Sequence, residues 1–125
     1  KNSQTDEKGP LFDSRRNRPS FTQLFADNRT QQQFVVNVNH LKSKGSPCGP
    51  DDDSEQQANC NGTRTRAAEG LSHWLKNKYP TQPIFIVGDL NSYALEDPLT
   101  MFAKHGFSST VHQFNDDSYT YSFRG

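Results

Sequence analysis

The stretch that most constrains this chain is Phe85-Ile86-Val87-Gly88-Asp89-Leu90-Asn91. Pro80 and Pro83 stand just upstream, and Ile84 to Val87 form a short apolar run. That length and composition predict a strand buried on both faces. Gly88 ends the run, and Asp89 and Asn91 follow on either side of Leu90. On extended backbone, residues two apart point the same way. A carboxylate and a carboxamide are therefore expected to project together from the tip of an inner strand, where a rigid scaffold presents polar groups to a site. A plain turn is the competing reading, because Gly, Asp and Asn all favour turns.

The rest of the composition implies a thin core. Hydrophobic residues make up 30% of the 125 residues, and even with the 8 Gly added the share falls short of the roughly 45–50% apolar usage of ordinary domains. Disorder usually brings net charge. Here 14 basic residues balance 14 acidic ones, and 9 Phe can supply a core. Net neutrality gives no global attraction to nucleic acid, so any basic site must be local. No stretch reads as a signal peptide or a membrane span, and a mature or excised piece of a secreted protein would look the same. Cys48 and Cys60 bracket a polar loop. Two cysteines without nearby histidines are too few for a closed zinc site. A disulfide between them would stabilise the fold by about 3 kcal/mol on the chain-entropy account and would imply an oxidising compartment.

Residues 1–17 read as a polar arm, with Leu11 and Phe12 its apolar residues. Arg15, Arg16 and Arg18 make a small basic cluster suited either to solvent or to phosphate. Ser20 to Ala26 and Phe34 to His40 predict a hairpin turned at Asp27-Asn28-Arg29-Thr30. In the second strand Phe34, Val36, Val38 and His40 share one parity, which should be the buried one; Val35, Asn37 and Asn39 share the other. Lys42 and Lys44 open the long loop over 43–62, whose acidic run Asp51 to Asp53 reads as a solvated face. Thr63 to Tyr79 has Ala67, Leu71, Trp74, Leu75 and Tyr79 at helical spacing, with Pro80 forbidding continuation. Arg64 and Arg66 in its first turn oppose the helix dipole, which suggests a packing or partner role. Asp97-Pro98 starts a second helix that Gly106 ends. His105 and His112 carry no partner pattern. Ser118 to Phe123 alternates as a last strand.

In this order, a strand ending in His40, a helix, and a strand ending in Gly88-Asp89-Leu90-Asn91, the chain resembles the endonuclease/exonuclease/phosphatase (DNase I-like) family. Val36 to Gly45, Cys60-Asn61-Gly62-Thr63-Arg64, Gly88 to Ala94, Glu96-Asp97-Pro98 and Tyr119-Thr120-Tyr121 are similar to the extracellular nucleases of bacteria within it. The resemblance covers most of the chain from Arg18 onward and implies an α/β (α+β) fold. That fold is a partial four-layered α/β sandwich with a mixed sheet and outer helices, here its C-terminal half over 18–125. The family's early Asn and metal-ligating Glu would fall upstream of Lys1, and its late Asp-His pair downstream of Gly125.

The resemblance further implies metal-dependent hydrolysis of phosphodiester bonds in DNA or RNA, outside the cell or in the periplasm, with Mg²⁺ or Mn²⁺ as cofactor and no membrane partner. Asp89 would orient or deprotonate the attacking water and bind the metal. Asn91 would donate to a phosphoryl oxygen. His40 would touch the scissile phosphate and assist proton transfer, as an imidazole that titrates near neutral pH is able to. Arg18 would hold a phosphate, and Lys42 and Lys44 would follow the backbone. Without the principal Glu ligand, activity of this chain alone should be weak or nil. The alternatives are a non-catalytic interaction module that self-associates through an exposed sheet, and a lipid or inositol phosphodiesterase of the same family.

Overall fold

A computed structural model describes residues 4–114. The strand predicted over Ser118 to Phe123 lies outside the described residues. Within them the fold is mixed α/β, with a small mixed sheet and helices. Two-residue strands β1 (Thr5–Asp6) and β2 (Gly9–Pro10) pair antiparallel in the N-terminal segment. Strand β3 (Phe21–Ala26) runs antiparallel to β4 (Gln33–His40), turning where Asp27 Oδ1 accepts the backbone N–H groups of Arg29 and Thr30. Helix α1 (Asn61–Lys78) carries the chain back, and β5 (Ile84–Asp89) pairs parallel to β4, so the sheet order is β3-β4-β5. Helices α2 (Asp97–Lys104) and α3 (Thr110–Phe114) follow.

The apolar stripe forms α1 and anchors it. Ala67, Leu71 and Leu75 are buried, Tyr79 is partly buried, and Trp74 stands at the margin. They pack on Val35 and Leu41 from below and on Phe102 of α2, with Leu24, Ile84, Ile86, Leu90 and Phe107 around them. The helix begins two residues before the predicted Thr63. Its N-cap, Cys60, is left-handed and gives no side-chain cap; the disulfide loop supplies the entry geometry instead. Along α1, Gly70 lets Leu11 approach so closely that an added Cβ would stand 2.9 Å from the Leu11 Cβ. Arg66 reaches Asp6 at 2.5 and 2.7 Å. The N-terminal segment is thus docked on the helix, and Arg66 has a packing role.

The sheet corrects two expectations. The buried parity of β4 is Val35, Asn37 and Asn39, not Phe34, Val36, Val38 and His40. Likewise β5 is not buried on both faces. Ile84 and Ile86 join the core, while Phe85 and Val87 are exposed on the other side. Two buried amides explain how helix-side cover is possible with so few aliphatic residues. Asn37 Nδ2 donates to the hydroxyls of Ser20 and Thr22, each at 2.8 Å, and Asn37 Oδ1 accepts from Asn39 Nδ2 at 2.5 Å. Hydrogen bonding between the amides and hydroxyls takes the place of apolar contact there.

Cys48 and Cys60 form a disulfide. The loop it closes has a polar centre. The Asp53 carboxylate accepts N–H bonds from Cys48, Gly49 and Cys60 at 2.9, 3.1 and 2.7 Å, and Asp52 accepts from Arg16 at 3.1 Å and from Thr63. The acidic run is therefore not simply a solvated face: two of its three carboxylates organise the loop. Arg64, with no exposed surface, donates to the carbonyls of Lys42, Asn59 and Gln57 at 3.2, 2.7 and 3.2 Å. Burial lowers its pKa, against the opposing pull of Glu96, Asp52 and Asp53. No helix among the described residues is long and apolar enough to cross a membrane.

Candidate functional site

The parallel register of β4 and β5 places His40 directly beside Asp89, both at the last position of their strands. His40 Nε2 stands 4.0 Å from Asp89 Oδ2, and both side chains are open to solvent, at 53% and 63% exposure. They emerge on the sheet face opposite α1, because they continue the parity of Val38 and Val87. The C-terminal ends of parallel strands are where open α/β sheets offer ligand sites.

The floor beneath this pair is fixed by backbone. Leu41 N–H donates to the Asp89 carbonyl at 3.0 Å, continuing the ladder one step beyond β4. Gly88 has φ 115° and lies so close to β4 that an added Cβ would meet the Asn39 carbonyl oxygen at 2.1 Å. Only glycine meets both demands, a positive φ and that close approach. The same residue brings Asp89 up beside His40.

Asn91 departs from the extended reading. Its φ of 48° is left-handed, a conformation Asn tolerates better than most residues, so the period-two argument ends at Asp89. At this residue the turn reading holds. Asp89 Oδ1 accepts the Asn91 N–H at 2.9 Å, and Asn91 Nδ2 donates to the Leu41 carbonyl at 2.9 Å. An amide nitrogen carries two protons, and this bond occupies one of them. Asn91 thereby ties the β5 turn to the end of β4 and steadies Asp89 from behind.

The basic residues divide. Arg18 donates its backbone N–H to the His40 carbonyl at 3.1 Å, its residue is exposed, and its guanidinium has no ion-pair partner among the described residues. Lys42 Nζ bonds neutral groups, the Ser43 carbonyl at 3.0 Å and Ser46 Oγ at 2.9 Å, and has no ion-pair partner among the described residues. Lys44 is engaged otherwise: it pairs with Glu96 at 2.6 Å and lies 4.4 Å from the Tyr93 ring centroid. Arg15 and Arg16 are held by Asp13 and Asp52 at 3.0 and 3.1 Å. Of the cationic residues expected at the site, Arg18 and Lys42 are the two without an ion-pair partner among the described residues.

Asn17 is a member that sequence reasoning missed. It is 3% exposed, and its Oδ1 accepts the Lys42 N–H at 2.9 Å, fixing the strand exit behind His40. Its only signal was an Asn at the end of a polar segment. For a divalent cation the site offers, among the described residues, one carboxylate, Asp89. Mg²⁺ is commonly bound by one or two carboxylates together with substrate phosphates and retained waters, so the donor set fits a cation that arrives with a phosphate better than one held beforehand. The chain matches no protein-family model, no curated protein and no solved structure.

Proposed function

We propose that the ends of β4 and β5 form the phosphodiester site of a DNase I-like, secreted nuclease. The observation carrying this reading is the His40–Asp89 pair, brought together by strand register and open to a large polymeric substrate. Arg18 and Lys42 bind flanking phosphates by charge, Arg18 with the planar fork that suits phosphate oxygens. Asp89 orients a water toward phosphorus. His40 holds the scissile phosphate and passes a proton to the leaving oxygen. Asn91 positions Asp89 and, through its second N–H, faces the phosphoryl group. A Mg²⁺ or Mn²⁺ ion bound through Asp89 would neutralise charge on the phosphoryl oxygens. With one carboxylate to hold it, cleavage by this chain alone is weak. The Cys48–Cys60 bond supports an oxidising, extracellular or periplasmic setting. In this reading the open sheet face is where a second sheet would complete a four-layered sandwich.

The test pairs binding with cleavage. Fluorescence anisotropy with a labelled DNA duplex and an RNA strand should show weak binding that falls with added salt. Joint replacement Arg18→Ala and Lys42→Ala should reduce it roughly tenfold or more. Plasmid nicking in Mg²⁺ or Mn²⁺ should be slight and disappear in Asp89→Asn and His40→Ala. Binding and nicking unaffected by all four changes would overturn the assignment.

A further inference from the structure

A second cluster of functional groups lies on the other side of the sheet, on the helices. Glu69 and His73 are four residues apart on α1, and so share one face of it. His105 caps the C-terminus of α2, its N–H donating to the Met101 and Phe102 carbonyls at 3.2 and 3.1 Å. The packing of Phe102 against α1 brings this cap alongside the helix. The His73 and His105 rings meet edge to face with centroids 4.6 Å apart. One carboxylate oxygen of Glu69 and one ring nitrogen of each histidine lie within 4.8 Å of one another. All three residues are half-buried, and none of these donor atoms has a hydrogen-bond partner among the described residues.

We infer that Glu69, His73 and His105 form a zinc site that clips the end of α2 to α1. Two imidazoles and a carboxylate are a recurrent zinc donor set that leaves a fourth position for water. Imidazole nitrogens favour zinc and its transition-metal neighbours over Mg²⁺ and Ca²⁺, which take oxygen ligands. Tetrahedral ligands about 2.0–2.1 Å from zinc stand about 3.3 Å apart. The three donors, within 4.8 Å of one another, need to close by about 1.5 Å at most to reach that spacing. The pair of rings is otherwise an unused contact between two polar groups. Lys76 and Lys104 lie near enough to act on His105, and their charge opposes a cation, so affinity should rest on the three ligands. The other such cluster among the described residues, Cys48, Asp53 and Cys60, is excluded because its sulfurs are joined to each other and its carboxylate is bonded to backbone N–H groups.

Isothermal titration of the intact chain with ZnCl₂ should show one saturable site, and zinc should raise the thermal midpoint because the site exists only in the folded state. Mg²⁺ at the same concentration should do neither. His73→Asn or His105→Gln should weaken zinc binding by more than the roughly 10–100-fold typical of losing an outer-shell partner. Glu69→Gln should weaken it less. Co²⁺ substitution should give visible d–d absorption without a thiolate charge-transfer band. Should a histidine variant lose its helical circular dichroism, diethyl pyrocarbonate labelling of the unaltered chain decides instead, with zinc protecting His73 and His105 but not His112. Absence of a saturable zinc site, equal affinity in folded histidine variants, or labelling of His73 and His105 unaffected by zinc would each overturn the inference.

Discussion

Asp53 shows how one side chain governs a segment in which few others are buried. Its carboxylate sits inside the disulfide loop, and the N–H groups of Cys48 and then Cys60 hold its pKa below the ordinary value of 3.8, with burial opposing and Gly49 and Arg16 assisting. A depressed carboxylate pKa contributes stability that is fully present above the unfolded value and lost as pH falls through the folded one. The loop should therefore loosen below about pH 4, while the disulfide remains. Asp53→Asn replaces an all-acceptor group by one with an NH₂ that confronts N–H donors. Urea midpoints should be lower for this variant than for the parent at pH 7, and the gap should narrow at pH 3. A gap that stays constant between the two pH values would show that the charge of Asp53 has no such role. Arg64 complements it from the other side, ordering three loop carbonyls that no helix or strand partners.

At the scale of elements, periodicity was legible and its orientation was not. The hairpin, α1, β5 and the Asp97-Pro98 helix start all follow from spacing, turn residues and Pro. The parity of β4 is also readable from the sequence, but hydrophobicity alone, which ranks Val and Phe above Asn, assigns it the wrong face. Asn37 is buried since Ser20 and Thr22 stand across from it, a pairing that exists only once the β3–β4 register is set. The strand-end positions of His40 and Asp89 were legible, whereas Asn17 and the meeting of His73 with His105 depend on packing between distant segments. The inverted face makes a direct comparison possible. Asn37→Ala should destabilise by about 1–3 kcal/mol, because it strands two hydroxyls and the Asn39 amide. Val38→Ala, its apolar neighbour, should change stability by about 0.5 kcal/mol or less. Denaturant unfolding of the two variants measures this, and the reverse order would restore the original face assignment.

For the whole molecule, the sheet has two unlike sides. One bears the helices and a core with polar members. The other carries Phe21, Phe25, Val38, Phe85 and Val87 at 63%, 44%, 42%, 49% and 43% exposure, with Phe34 stacked on Phe25 and edge-on to Phe85. Single exposed apolar residues need no explanation, but a contiguous aromatic patch drives association. No described residue covers it, and the chain's zero formal net charge supplies no long-range repulsion between copies. The expected consequence is self-association that strengthens with protein concentration. Phe85→Lys places a charge at the middle of the patch and should shift the light-scattering mass toward the monomer. It should leave zinc binding unaltered, because the proposed zinc site lies on the opposite side of the sheet. It should also leave fold stability within about 0.5 kcal/mol, as expected of a surface change away from the core. A parent chain that remains monomeric at high concentration would show that the aromatic face is tolerated by solvent, and would remove the interaction-module alternative along with it.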